Sequence, residues 1–100
     1  MQVQKIIDYF VKEEGLSPVV ARTLAKKLAK YEDIKAAFIQ WIDSGDFSQS
    51  GSLEINGYTP GKIHEIAPFL NGSGVYNFMV TLRDNPSKAE KYINDGFPRK

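Results

Sequence analysis

The sequence predicts an all-α domain of about six short helices, in two loosely similar halves packed as one domain. Three observations carry this. A capping residue followed by proline opens a helix at Ser17-Pro18, Thr59-Pro60 and Asn85-Pro86, where the side chain serves a free amide and proline has none to waste. Between these starts, apolar residues recur at i, i+3, i+4 and i+7. Gly15, Gly45 and Gly96 follow the ends of periodic runs, where a left-handed cap fits.

The first helix runs from Val3 to Glu14, with Val3, Ile6, Ile7, Phe10 and Val11 on one stripe. The second opens at Ser17-Pro18 and turns Ala21, Leu24, Ala25 and Leu28 inward. The third starts at Glu32-Asp33, whose charges suit a helix N-terminus, and carries Ile34, Ala37, Phe38, Trp41 and Ile42. Residues 43–57 hold four serines and three glycines and read as loop, with a short extended piece at Ser52–Ile55.

Thr59-Pro60 begins a fourth helix with Ile63, Ile66 and Ala67 inward, stopped by Pro68. Ser73 is the expected cap of a fifth, from Val75 to about Arg83. It is apolar on two sides and therefore expected to sit centrally. The sixth follows Asn85-Pro86 with Ala89, Tyr92 and Ile93 inward, and Phe97 tucks back after Gly96. The expected organisation is a three-helix half at 1–45, a Gly/Ser-rich connector at 46–57 and a second three-helix half at 58–100. Gly15-Leu16-Ser17-Pro18 and Gly57-Tyr58-Thr59-Pro60 echo each other across the two halves.

Composition narrows the function. The chain has 100 residues, no cysteine and a net charge of +1. Disulfides, thiolate zinc sites and cysteine nucleophiles are thereby excluded. No apolar run is long enough to span a bilayer, and Met1–Glu14 lacks the apolar stretch of a signal peptide, so the expected location is the cytoplasm with no membrane partner. A near-neutral balance is unlike a dedicated nucleic-acid binder. One local excess exists: Arg22, Lys26, Lys27 and Lys30 stand together without an acid.

Residues that could carry chemistry are sparse. His64 is the single histidine and lacks a positioned partner, so it reads as a surface residue. Asp46–Glu54 imitates the start of a calcium loop, but its twelfth position is Gly57 where a bidentate glutamate belongs. Asn71-Gly72-Ser73-Gly74 lacks the lysine and spacing of a phosphate-binding loop. No catalytic residue, metal ligand or cofactor is read from the sequence, and a non-enzyme is expected.

Residues 11–42 resemble a ubiquitin-associated (UBA) domain, a compact three-helix bundle. The resemblance rests on Gly15-Leu16-Ser17 after a first helix, on Ala21 and Leu24-Ala25, and on Asp33-Ile34-Lys35-Ala36-Ala37-Phe38. Glu14 stands where that family usually has methionine, and Leu16 replaces its loop aromatic. The spacing between the second and third helices is about two residues longer than in that family. The resemblance implies a protein-binding surface at Gly15, Leu16, Trp41 and Ile42, without implying ubiquitin as the ligand. The second half, with Gly57-Tyr58-Thr59-Pro60 and Tyr76-Asn77, resembles small uncharacterised bacterial proteins, which supplies no activity.

The expected function is therefore a small helical module that binds a protein partner through those four residues. The alternative is a DNA-binding protein of helix-turn-helix type. It would use Arg22, Lys26, Lys27 and Lys30, or Ser73, Asn77, Thr81 and Arg83 on the fifth helix. Tyr9, Phe47, Phe69 and Phe97 have no clear core position, and several of them exposed together would mark a partner site.

Overall fold

The capping chemistry fixes where the helices begin. Ser17 Oγ accepts from the Val20 amide at 3.3 Å, Thr59 Oγ1 from Lys62 at 3.1 Å and Asn85 Oδ1 from Lys88 at 3.3 Å. Each satisfies an amide that the first helical turn leaves free. The structure, a computed structural model, describes residues 2–97. Its helices are α1 (Gln2–Glu14), α2 (Pro18–Ala29), α3 (Glu32–Ser44), α4 (Pro60–Ile66), α5 (Gly72–Asp84) and α6 (Pro86–Asn94), with a 3₁₀ turn at Phe47–Ser50. No strand forms among the described residues. A single bridge joins Ile55 and Tyr58 across a tight turn at Asn56-Gly57, both of which have positive φ.

Helix α5 is the axis of the molecule. It packs against α2, α3, α4 and α6, while α1 closes over α2 and α3. Its residues Val75, Tyr76, Met79 and Val80 are fully buried, joined by Ile6 and Phe10 of α1, Ala25 and Leu28 of α2, and Ile34 and Phe38 of α3. One core therefore serves both halves. The radius of gyration, 12.6 Å, matches the ~13 Å expected of a single body of this length.

Three joints lock the halves together. Glu14, at the end of α1, accepts from the Ser73 amide at 3.0 Å and from the Ser73 hydroxyl, so a carboxylate sits at the amide-rich start of α5. Asp33 at the start of α3 makes a two-pronged pair with Arg83 near the end of α5, at 3.0 and 2.7 Å. The Trp41 indole lies against Gly72, the first residue of α5. A Cβ there would fall 2.6 Å from the ring.

The structure corrects the sequence reading at four places. Asn71, not Ser73, caps α5: its side chain accepts from the Gly74 amide at 2.9 Å, and Ser73 is buried inside the first turn on Glu14. The connector is no loose linker. Leu53 and Ile55 belong to the core, and Phe47 stacks on Trp41. Ile66 and Tyr92, expected inward, are exposed. α4 has only seven residues before Pro68, so Ile63 and Ala67 meet the core while Ile66 faces outward. On α6 only Ala89 is fully buried, which leaves Tyr92 at the edge.

Candidate functional site

The Pro68 stop has a consequence beyond ending α4. The chain must turn through Pro68-Phe69 before α5 begins, and this turn lifts Phe69 to the surface at 42% exposure. Tyr92 stands 40% exposed on α6. Both line one groove of about 540 Å³, bounded by α2, the turn, α5 and α6. This volume falls within the range of small-molecule and side-chain pockets.

The floor is built from buried aromatic edges. Phe78 of α5 and Phe97 are each 7% exposed and meet edge to face at 4.8 Å, with Tyr92 at 6.4 Å from Phe78. Phe97 reaches this place because Gly96 turns the chain back after α6, where the Phe97 amide donates to the Tyr92 carbonyl at 2.8 Å. Leu70 and the side-chain-free Gly74 complete the apolar wall.

Polar groups enter at defined points. Asn77 lines the groove, and its buried side-chain oxygen has no hydrogen-bond partner in the protein. Buried amide atoms are nearly always paired, so this oxygen is an unmet acceptor, shielded from solvent and from direct contact with a bound group. Thr81 is already engaged, its hydroxyl donating to the Asn77 carbonyl at 3.2 Å. Lys27 of α2 and Lys88 of α6 stand on the walls, and among the described residues no carboxylate lines the groove.

Of the residues singled out from the sequence, Lys27, Asn77, Thr81, Phe69 and Phe97 line the groove, and the others lie elsewhere. Gly15 is exposed and left-handed, at φ 70°. Leu16 is half-buried against the core, its amide donating to the Phe10 carbonyl at 3.1 Å. Ile42 is half-buried too. Trp41 is half-buried in an aromatic stack, parallel to Phe38 at 5.6 Å and Phe47 at 5.0 Å and edge-on to Tyr9 at 5.2 Å. His64 tilts over Phe47 at 4.6 Å and extends that stack. The Trp41 indole N–H is buried without a partner. Trp41 thus joins α1, α3, the 3₁₀ turn and α5.

Arg22, Lys26, Lys27 and Lys30 are all exposed on α2 and its cap. Lys30 lies 3.6 Å from Asp84, and Lys27 is the one that reaches the groove. On α5, Ser73 is buried on Glu14 and Arg83 is held by Asp33. Asn77 and Thr81 open into the groove.

The perturbed ionisable groups trace the joints. Burial raises the Glu14 carboxyl above its ordinary range, against the hydrogen bonds from Ser73 and Tyr9 that favour its charged form. Burial, helped by Glu14 and Glu13, pushes the Tyr9 phenol up to about 12. The Arg83 hydrogen bond holds Asp33 low, and the Tyr31 hydroxyl, then Lys30 and more weakly Lys27, hold Asp84 low. Among the described residues no three metal-ligating side chains come together, and no helix is long and apolar enough to cross a membrane.

Of the aromatics without a clear core position, Phe69 and Phe97 both line the groove, Phe69 exposed and Phe97 buried in its floor. Lys88 and Tyr92 carry no site signal in the sequence, since Tyr92 matches the inward spacing of α6 and Lys88 is an ordinary helical lysine. Comparison with known proteins finds no family model, no curated protein and no solved structure that matches this chain, so the functional reading rests on its own geometry.

Proposed function

We propose that this chain is a non-enzymatic binding module that engages a protein partner through the groove between α2, α5 and α6. The observation that carries the reading is the pair of exposed aromatics, Phe69 and Tyr92, over an apolar floor. Aromatic side chains gathered over an apolar centre are the anatomy of interface hot spots. The UBA-like surface at Gly15, Leu16, Trp41 and Ile42 is the less favoured place for that partner. Its large side chains are more buried than Phe69 and Tyr92, and Trp41 already has Phe38 and Phe47 stacked on its ring.

Selection of displayed random peptides on the intact protein tests the proposal. Enriched peptides should lose at least tenfold in affinity for a Phe69→Ser, Tyr92→Ser double variant, and keep their affinity for Leu16→Ser. The opposite pattern would move the surface to the Gly15–Leu16 turn, and equal binding to all three proteins would reject both surfaces.

A DNA-binding reading is supported by a separate observation. Arg22, Lys26 and Lys27 are exposed with no described carboxylate within ion-pair distance. Retardation of duplex DNA at low salt that fades as salt rises would favour it. No retardation at low salt would remove it.

A further inference from the structure

We infer that the groove takes an acidic peptide segment, with one large apolar side chain seated among Phe69, Phe78 and Tyr92 and flanking carboxylates on Lys27 and Lys88. This rests on the protein-binding reading of the groove and narrows it to a chemistry.

Charge complementarity carries the inference. Among the described residues, the charged ones lining the groove are two lysines, brought from different helices on either side of the apolar floor. Neither ammonium lies within ion-pair distance of a described carboxylate. Helix α2 contributes no acid at all, and Lys26 adds to its positive field. The acids nearby are committed elsewhere or stand outside. Asp84 is bonded to Tyr31 and paired with Lys30. Glu90 lies in a different cleft, beside Tyr58, Leu82 and Ile93. Asp95 lines an adjoining recess of about 340 Å³ with Lys88, Lys91 and Tyr92, and is not among the groove's own lining. The whole chain carries only +1, so selectivity for acid must come from this local arrangement.

Shape separates a peptide from other anions. A nucleic acid base or a lipid headgroup would also meet lysines. Bases, however, stack on open ring faces. Phe78 and Phe97 meet edge to face and are each only 7% exposed, so neither offers an open ring face as a stacking platform, and they floor a recess that suits a side chain.

Fluorescence anisotropy with labelled synthetic peptide pools tests this. Each pool fixes one Phe, Leu or Trp anchor and flanks it with Asp/Glu, with Ser/Gln or with Lys/Arg; a further pool has acidic flanks and serine for the anchor. A labelled single-stranded oligothymidylate and anionic phosphatidylserine vesicles serve as the competing anions. The acidic anchored pool should bind about tenfold tighter than the neutral one at low salt, the worth of two exposed ion pairs. Lys27→Glu and Lys88→Glu should each erase most of that preference, and together reverse it toward the Lys/Arg pool. Both positions are exposed, so unchanged melting temperatures keep the comparison clean. Equal binding of neutral and acidic pools would overturn this inference and leave the groove as a protein site. Equal binding of the anchorless acidic pool, or tighter binding of oligothymidylate or vesicles, would overturn it too. Failure of every anchored pool would overturn the protein-binding reading with it.

Discussion

Replacing Gly72 by alanine puts a methyl carbon 2.6 and 2.7 Å from two atoms of the Trp41 six-membered ring and 3.3 Å from Phe38. The indole cannot swing aside freely. Phe38 and Phe47 both stack on it, and Tyr9 meets it in a T-shaped contact. Overpacking of this kind costs ~1–3 kcal/mol. Against it stands the gain of alanine over glycine in a helix, at most ~1 kcal/mol and less at the first helical position. The net expectation is a loss of ~1–2 kcal/mol, which for a domain of this length lowers the melting temperature by ~5–15 °C. Thermal unfolding followed by circular dichroism reads it. A double-mutant cycle sharpens the test. Trp41→Phe removes the two ring atoms that the methyl strikes, so Gly72→Ala should be neutral or stabilising in that background, with a coupling energy above ~1 kcal/mol. An unchanged or higher melting temperature for the single variant would refute the reasoning. So would additivity of the two substitutions.

Other perturbations follow from the joints and the connector. Because burial raises the Glu14 carboxyl, the folded state binds its proton more tightly than the unfolded chain does. Stability should fall as pH rises from the ordinary carboxylate range through the raised value, and Glu14→Gln should flatten the profile in that window; an unflattened profile from urea midpoints would contradict it. Ile55→Ala, in a connector that a polar linker would leave indifferent, should cost ~2–4 kcal/mol by urea denaturation. The Asp33–Arg83 pair is largely exposed, so Arg83→Met should cost no more than ~1 kcal/mol, and less at high salt. Tyr92→Ser, at the rim of the groove, should stay within ~0.5 kcal/mol of the parent.

The helices were legible because their signals are local. Ser17-Pro18, Thr59-Pro60 and Asn85-Pro86 act within one turn, and each is found at a helix start. The central place of α5 was legible as well, since a helix apolar on two sides has no solvent face to offer. What stayed hidden is tertiary. Nothing within four residues of Glu14 says that it meets Ser73, fifty-nine residues away. Periodicity put Trp41 on an apolar stripe but could not show that Gly72, Phe38 and Phe47 would enclose it. The groove was hidden for the same reason. Lys27, Phe69, Asn77 and Tyr92 come from four segments, and only the crossing of α2, α5 and α6 gathers them. Tyr92 matches the inward spacing of α6, but Ala89 is the fully buried residue of that helix, with Ile93 partly buried, and Tyr92 stands at the edge.

The central claim is that this groove is the surface that meets the partner. A chemical-shift map of ¹⁵N-labelled protein, titrated with a peptide selected on it, tests that most directly. The account predicts that the backbone amides of Phe69, Leu70, Gly74, Thr81, Lys88 and Tyr92 shift, and that the side-chain amide of Asn77 shifts with them. The buried Trp41 indole N–H should stay in place. Shifts confined to Gly15, Leu16, Ile42 and the Trp41 indole, or to Arg22, Lys26 and Lys30 on the outer face of α2, would contradict it.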